Sequence, residues 1–548
     1  LAEQAGDKFN RGFERVSASY ARLTARLARQ PRKMMLAYAG LIALTVGSLM
    51  WTPVGFIPAQ DQGYFFTVIQ LPPGSATART DQVMKKVADR VLKIPGVKAS
   101  VMLSGFDGPS ETRAASSAAA YWVLDDFKAR ASKGQTIEKL MDEARKATAD
   151  ISEARLMVVT PPLIRGIGSA GGYRLMVEDR DGKGYAELEK ATNALIAKAN
   201  QTTGLQAIYT FFETGTPRIF ADIDRDKAQI LGVPASRVFE TLEVYLGSAF
   251  VNDFNLLGRT YRVTAQADEP FRRTPADIAN LQTRSDTGAM VPIGSVATFR
   301  DKTGPYRVTR YNLAPAVAVD GDTAPGYSSG QSLVTMEKLA AETLPRGFEV
   351  EWTGIAYQQK FAGNTAGVVF GLAVLLVFLV LAAQYESLVM PLAIILIVPT
   401  CVLAAMIGVN LRGMDNNVLT QIGLVVLIAL AAKNAILIVE FARQGEDQHG
   451  MSPIDAAVHA AEQRLRPILM TSFAFILGSV PLVIATGAGA ELRQALGTAV
   501  FFGMLGVTAF GLIFTPTFYV VSRALGDRLA RLRRQPGGTA EPALLPAE

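Results

Sequence analysis

The stretch LVVLIALAAKNAILIVEFA, residues 424–442, decides the fold class, because it places a lysine inside an apolar run of membrane-spanning length. A hydrocarbon core about 30 Å thick needs roughly 20 apolar helical residues. Lys433 lies about 14 residues, or roughly 20 Å of helix, from the outer end of its span, which is too deep to reach the membrane surface easily. We therefore expect a membrane helix whose lysine faces the interior of a helix bundle.

The buried position of Lys433 demands a partner or a special environment. A charge at this depth costs at least ~2.5–3.5 kcal/mol on insertion scales, so pairing with an acid is expected. No carboxylate of this chain lies at matching depth, since Asp415 is at the outer edge of the span and Glu440 is near the inner edge. The acid is therefore expected from another segment. The alternative is a lysine that is neutralised by desolvation or that seals a helix contact.

Five further apolar runs have the length of a membrane span, which gives one span near the start of the chain and five near its end. The six predicted spans are Met34–Val54, Ala366–Ala383, Leu388–Leu411, Leu419–Phe441, Pro467–Ala485 and Ala495–Val521. A positive mean hydropathy and 49% apolar residues agree with a membrane protein.

Lysine and arginine near the span ends predict the orientation. Basic residues crowd before the first span and after the last, and the link that carries Arg443 and Arg464 is also basic. Because cytoplasmic loops carry the excess of basic residues, both ends of the chain are expected in the cytoplasm and residues 55–365 outside it. The net charge of +6 is thus attributed to topology rather than to nucleic-acid binding.

The outer stretch alternates between strand-like and helix-like segments. The pattern predicts two βαββαβ units, the second interrupted by an inserted module with its own hairpin at FVNDF and YRVTAQA. The segment YRVTRYNL, residues 306–313, is predicted to be the strand with which the second unit resumes. The predicted fold class is an α-helical membrane bundle of six transmembrane helices with a large α/β domain between the first two.

The segment LSGFDGPSETRAASSAAAYW, residues 103–122, is rich in glycine, serine and alanine and is predicted to be a loop. Phe106 and Tyr121 near its ends are candidates for contact with an apolar ligand. The alternative is that both rings are anchors in the core. From Gln535 onward, the sequence QPGGTAEPALLPAE predicts a disordered end.

Three more polar residues are candidates for a chain that continues from Lys433. Asn434 lies beside it, and Arg464 and Thr471 stand two turns apart on one helix face. Each also has a structural interpretation: Asn434 as a contact between helices, Arg464 as a cytoplasmic anchor, and Thr471 as a donor to its own i−4 carbonyl.

The sequence contains no recognisable catalytic or metal-binding motif. One cysteine and two histidines exclude a disulfide framework and a histidine-rich metal cluster, and the methionines of the outer stretch are scattered. There is no phosphate loop, paired-histidine helix or nucleophile elbow. We expect no cofactor and no enzyme activity.

Several motifs resemble the C-terminal half of AcrB- and MexF-type transporters, in the hydrophobe/amphiphile efflux branch of the resistance-nodulation-division superfamily. The resemblance runs end to end, and it is most specific at the lysine-centred stretch and at RPILMTS. The motifs are AAKNAILIVEFA, RLRPILMTSFAFILGSVPLVIATGAG, GFIPAQDQGYFF, VNDF and AAQYES.

The resemblance implies a homotrimer in the Gram-negative inner membrane that exchanges protons for hydrophobic and amphiphilic drugs. Periplasmic adaptor and outer-membrane channel proteins would carry the drugs onward. By the same comparison Lys433, Arg464, Thr471 and Asn434 would form a proton relay with two aspartates of a span that this chain lacks, and Phe106 and Tyr121 would contact substrate. The chain would thus be a C-terminal-half fragment.

The resemblance also assigns a role to each part of the chain. The implied parts are a cytoplasmic amphipathic helix at 1–32, a first span at 33–54, ferredoxin-like porter subdomains at 55–166 and at 167–213 with 306–356, a docking subdomain at 214–305, five spans at 357–523 and a cytoplasmic tail at 524–548. Two other functions remain open: export of lipids or other non-drug substrates, and a non-transporting membrane scaffold. The deep position of Lys433 argues against the scaffold, because a scaffold does not need a costly charge within the membrane.

Overall fold

The computed structural model describes residues 2–164, 166–168, 170–363 and 365–533. The chain begins with two helices, α1 (Ala2–Ala28) and α2 (Pro31–Trp51). Proline can occupy the first position of α2 because the first amides of a helix have no acceptor within it. The disordered end predicted from Gln535 lies outside the described residues, and residues 524–533 continue the last helix.

The first subdomain is a four-stranded antiparallel sheet with helices packed on one face. Its elements are β1 (Tyr64–Gln70), α3 (Thr77–Val91), β2 (Val97–Asp107), β3 (Thr112–Leu124), α4 (Phe127–Ser132), α5 (Ile137–Thr148) and β4 (Arg155–Val159). The strand order is β2-β3-β1-β4. Phe65 and Trp122, paired across β1 and β3, are fully buried against α3 and α5. The indole N–H of Trp122 is satisfied by the Thr67 hydroxyl at 2.9 Å.

The second subdomain is interrupted by an insert after its first three elements. These elements are β5 (Tyr173–Asp179), α6 (Tyr185–Ala199) and β6 (Leu205–Tyr209). The insert contains β7 (Thr216–Ile223), α7 (Arg225–Ile230), α8 (Ala235–Leu242), β8 (Ala249–Leu256), β9 (Arg259–Ala265), α9 (Pro275–Asn280), β10 (Gln282–Arg284), β11 (Met290–Pro292) and β12 (Ala297–Gly304). Because β7 pairs with β12, the two ends of the insert lie side by side. Strands β8 and β9 form the hairpin that the sequence predicts.

The chain then returns to the sheet that it left. The returning elements are β13 (Arg310–Tyr311), β14 (Ala314–Thr323), α10 (Ser329–Thr343), β15 (Phe348–Thr353) and α11 (Gly354–Ala362). The strand order is β13-β14-β5-β15, and β6 also pairs with β14. One face packs on α6 and α10 through a core that includes Leu175, Leu195 and Leu333. The opposite face is turned toward the first subdomain, and the space between them is called the cleft below.

Six helical segments among the described residues are long and apolar enough to cross a membrane, judged by length and composition. After α2 they are formed by α12 (Thr365–Tyr385), α13 (Met390–Ile395) with α14 (Val398–Leu411), α15 (Val418–His449), α16 (Pro453–Val483) and α17 (Ala490–Arg533). Their enclosure by the chain is uneven: 67% of the most apolar part of Met390–Leu411 is buried, against 6% of that of Gly367–Tyr385.

The loop predicted between two strands at residues 103–122 is only a short turn in the structure. Strand β2 runs to Asp107, a short turn follows, and β3 begins at Thr112. Alanine is a poor strand former, yet Ala118, Ala119 and Ala120 lie in β3 and are fully buried. Packing has overridden the intrinsic strand propensity.

The predicted strand at residues 306–313 shrinks to Arg310–Tyr311. The two residues at its start bind the first subdomain instead. The Tyr306 hydroxyl donates to the backbone oxygen of Arg113, and the Arg307 guanidinium lies 3.0 Å from the Asp107 carboxylate. Alternating polarity in this segment therefore reflects a bridge across the cleft rather than a long strand.

Candidate functional site

Helix α15 carries the lysine that the sequence singles out. The helix begins where the Asn417 side chain accepts the amide of Thr420 at 3.0 Å, and it ends before Gly450, whose left-handed φ of 61° suits a residue without a side chain. Its 32 residues make a helix about 48 Å long. Lys433 thus lies near the middle of a helix longer than a membrane core.

Lys433 lies on a stripe of α15 that the other described helices leave largely exposed. Ile422, Val426 and Lys433 follow at helical spacing, and all three are exposed. The Lys433 ammonium lies over the Phe475 ring of α16, 5.0 Å from its centroid. Among the described residues, Lys433 makes no hydrogen bond or ion pair, and its ammonium makes a cation–π contact with the Phe475 ring.

Asn434 points the other way, into the contact between α15 and α16. It is 5% exposed, and its amide nitrogen donates to the Ser472 hydroxyl at 3.0 Å. Thr471 lies next to Ser472, but its hydroxyl donates to the backbone oxygen of Ile468 at 3.1 Å, within its own helix. The polar link across the helices therefore uses Ser472, a residue that the sequence analysis did not single out.

Arg464 lies further along the same pair of antiparallel helices. Its guanidinium carbon is 3.1 Å from the centroid of the Phe441 ring, and its Nε is buried without a hydrogen-bond partner among the described residues. Phe441, which Arg464 contacts, is eight residues from Lys433 in the helix. Arg464 and Lys433 are therefore about 12 Å apart along α15. The structure thus places Lys433, Asn434, Thr471 and Arg464 along one helix pair without joining them in a continuous hydrogen-bonded chain.

The acids of α15 and its approaches have local partners. Asp415 accepts from Asn417 at 2.8 Å, and Glu440 accepts from Gln444 at 3.1 Å. Near the end of α15, Glu446 accepts from Tyr519 and from Arg523, each at 2.8 Å. None of these described carboxylates reaches Lys433, in line with their positions in the sequence.

In the α/β region between α2 and α12, which is called the outer domain below, Phe106 and Tyr121 lie apart. Tyr121 stacks on Phe66 of the neighbouring strand, with 5.4 Å between ring centroids, and burial raises the pKa of its hydroxyl. On β2 its partner is Val101, five residues from Phe106, which corresponds to about 17 Å along the strand. The two rings therefore do not form one aromatic site within this chain.

A cavity of about 330 Å³ opens in the cleft between the two subdomains. Neither Phe106 nor Tyr121 lines it, although Asp107, next to Phe106, does. Aromatic and charged side chains from both sheets and from their connections surround it. They include Asp107, Arg174, Phe211, Phe212, Glu213, Arg307 and Asp320.

Two ion pairs stand in the wall of this cavity. Arg174 donates to Asp320 from two nitrogens, at 2.7 and 3.0 Å, and Arg307 pairs with Asp107 across the cleft at 3.0 Å. Burial raises the pKa of Asp320, an effect that the Arg174 charge opposes. Sequence reasoning missed these residues because their partners are about 146 to 200 positions apart in the chain.

The fold and the six apolar helical segments among the described residues define a membrane protein with a large two-subdomain α/β region between its first and second apolar helices. The chain belongs to the AcrB/AcrD/AcrF family, whose model matches residues 2–523. This is a family of resistance-nodulation-division transporters, not of enzymes, so the resemblance read from the motifs is confirmed at the level of the family.

Three curated relatives show how the chain compares with known proteins. It is 38% identical over 523 residues to "Toluene efflux pump membrane transporter TtgB" of Pseudomonas putida, covering 95% of this chain and 49% of the relative. It is 34% identical over 530 residues to "Multidrug resistance protein MdtF" of Escherichia coli, covering 96% and 50%. It is 35% identical over 518 residues to "Multidrug export protein AcrF" of the same species, covering 94% and 50%. The chain spans about half the length of these relatives.

Proposed function

We propose that this chain supplies the second half of a proton-driven exporter of hydrophobic and amphiphilic compounds. The working unit is a homotrimer in a bacterial inner membrane that meets a periplasmic adaptor and an outer-membrane channel. Both ends of this chain lie in the cytoplasm and residues 55–365 in the periplasm. The names of the relatives, a toluene efflux pump and two multidrug proteins, support this choice of substrate.

The observation that carries the proposal is the environment of Lys433. A lysine this deep is costly unless an acid compensates it, and the described residues provide only an aromatic ring. The open stripe around it is apolar, as a surface that packs on further helices would be. We propose that two aspartates from the other half of the transporter approach Lys433 along this stripe.

Protonation of those aspartates then drives the cycle. When both are ionised, Lys433 is held between them; when they bind protons, the attraction is lost and the helices repack. The Asn434–Ser472 hydrogen bond joins α15 to α16, so a shift of Lys433 carries α16 with it. Arg464 and Thr471, on α16, extend the relay toward the cytoplasm.

The outer domain is where substrate binds. The two subdomains act as ferredoxin-like porter units, and the insert between β6 and β13 acts as the docking module. Helix α11 stands between β15 and α12 in the chain, and we propose that movement of the membrane helices changes the width of the cleft. Phe106 and Tyr121 contact substrate on the first subdomain, each at a different position along its sheet.

Export by a chimaera tests this proposal. The chain replaces the residues that it matches in the Pseudomonas putida pump, and the chimaera is expressed in bacteria without other efflux pumps. We expect dye accumulation to fall, and an uncoupler or the change Lys433→Ala to restore it to the pump-free level. Lys338→Ala, at an exposed lysine of α10, is the matched control and should export normally.

Equal amounts of each variant in the membrane fraction are required for the comparison. The proposal is overturned if Lys433→Ala exports at the rate of the unchanged chimaera and remains sensitive to the uncoupler. Such a result would assign Lys433 to packing, the alternative that its sequence position also allows.

A further inference from the structure

We propose that Glu213 makes the cavity in the cleft selective for amphiphilic cations, meaning compounds with a fixed positive charge and an apolar body. This inference rests on the proposed function and names the substrate class that the cavity favours. Glu213 belongs to the connection between β6 and β7, where the chain passes from the second subdomain into the insert.

The charges around the cavity do not balance. Its described lining has three carboxylates, Asp107, Glu213 and Asp320, against the guanidinium groups of Arg174 and Arg307. Asp107 and Asp320 each form an ion pair, with Arg307 and Arg174 respectively. Glu213 forms no ion pair or hydrogen bond with any described residue. A single negative charge is therefore left to a ligand.

The segment that carries Glu213 is fixed at both ends. Before it, the Thr210 hydroxyl donates to the backbone oxygen of Ala318 at 2.7 Å and accepts the Phe212 amide at 3.2 Å. After it, the Thr214 amide donates to the Glu189 carboxylate at 3.0 Å. The Glu213 backbone is thus positioned before a ligand arrives, which lowers the entropy cost of binding.

An apolar surface lies next to this carboxylate. Phe211 and Phe212 line the cavity together with Met176 and Ala318. Phe212 is braced by Tyr185, with ring centroids 6.1 Å apart, and Phe211 by Tyr209, at 5.0 Å. A volume of about 330 Å³ lies at the lower end of the range for small-molecule sites. The cavity can hold an aromatic body against the two rings with its charge toward Glu213.

A second carboxylate strengthens the preference for a cation. Burial and, to a smaller extent, repulsion by the nearby charge of Glu189 raise the pKa of Glu213. A cation near Glu213 relieves that repulsion, whereas an anion increases it. The opposite choice, an anion bound by an arginine, would first have to displace Asp107 or Asp320 from its ion pair.

Binding of two dyes with one ring system tests the inference. Rhodamine 6G is a cation and fluorescein an anion, and both carry a xanthene ring. Their affinities for the purified full chain in lipid nanodiscs are measured by fluorescence polarisation. We expect rhodamine 6G to bind more tightly, and Glu213→Gln to weaken it about tenfold while fluorescein binds equally well or better.

Two further variants separate charge from structure. Glu213→Asp keeps the charge and should retain most of the preference for the cation. Glu187→Gln removes a charge from the exposed face of α6, away from the cavity, and should leave both affinities unchanged. An equal loss for both dyes in Glu213→Gln, or no loss, overturns the inference.

The outcome for the unchanged chain distinguishes the two proposals. If it binds neither dye, the cleft is not a substrate site, and both the inference and the proposed role of the cleft fail. If it binds both dyes and Glu213→Gln leaves the ratio of the two affinities unaltered, only the charge selectivity is refuted. The export proposal then stands on the Lys433 experiment alone.

Discussion

The outer domain and the membrane helices differ in the partners that they provide for selected cations. In the outer domain two arginines pair with acids of the same chain: Arg130, 2% exposed, pairs with Asp61 at 2.8 Å, and Arg174 pairs with Asp320 at 2.7 Å. In the membrane helices, the described contacts of Lys433 and Arg464 with other side chains are to phenylalanine rings. These two cations of the outer domain are neutralised within the chain, while Lys433 and Arg464 in the helix bundle are not.

The apolar surfaces differ in the same way. Each outer subdomain encloses a core between a sheet and two helices. Helices α12 and α16 instead leave large side chains such as Leu376, Met470 and Leu477 exposed by more than half. Folding of the outer domain should therefore depend on residues of this chain, whereas the function of the helices should depend on what packs against them.

The largest expected change in stability is at Arg130 in the outer domain. The change Arg130→Met leaves Asp61, 16% exposed, without its counter-charge, which should destabilise the first subdomain by about 3–5 kcal/mol. Hydrogen exchange followed by mass spectrometry on the full chain measures this locally. Protection of β1 should fall while protection of β5 in the second subdomain is unchanged.

The neighbouring lysine provides the control for this test. Lys128→Met removes an exposed cation from the same helix, α4, and should change protection by less than about 0.5 kcal/mol. Unchanged protection of β1 in Arg130→Met would mean that the outer domain does not depend on its internal ion pairs. The contrast with the membrane helices would then be lost.

A smaller effect is expected at the contact between α15 and α16. The change Asn434→Ala removes one buried hydrogen bond and should cost about 0.5–1 kcal/mol of stability in detergent. A double-mutant cycle with Ser472→Ala assigns that cost to the pair. If Asn434→Ala instead abolishes export while stability falls only by this amount, Asn434 is a member of the relay and not only a link between helices.

The sequence predicts the membrane helices well where apolar length is the signal. The predicted span Leu419–Phe441 lies within α15, and Ala366–Ala383 lies within α12. The span predicted at Leu388–Leu411 is interrupted between α13 and α14, at Leu396 and Ile397. Pro399 explains the interruption, because it has no amide to donate to the carbonyl of Ile395.

The cleft, by contrast, could not be predicted from local patterns. Glu213 follows two phenylalanines without any motif, and its importance comes from Arg174, Arg307 and their acids, which the fold brings together from distant segments. The role of Ser472 could not be predicted either, because no local pattern distinguishes a serine between Thr471 and Phe473. Lys433 was found because a charge within an apolar run is conspicuous without knowledge of its neighbours.

The most direct test of the central claim is proton flux through the chimaera in reconstituted vesicles. A pH gradient is imposed, and dye movement and proton movement are recorded together for the unchanged chimaera and for Lys433→Ala. The account predicts that protons and dye move in opposite directions in the first, and that both fluxes stop in the second. Coupled fluxes of normal size in Lys433→Ala would contradict it.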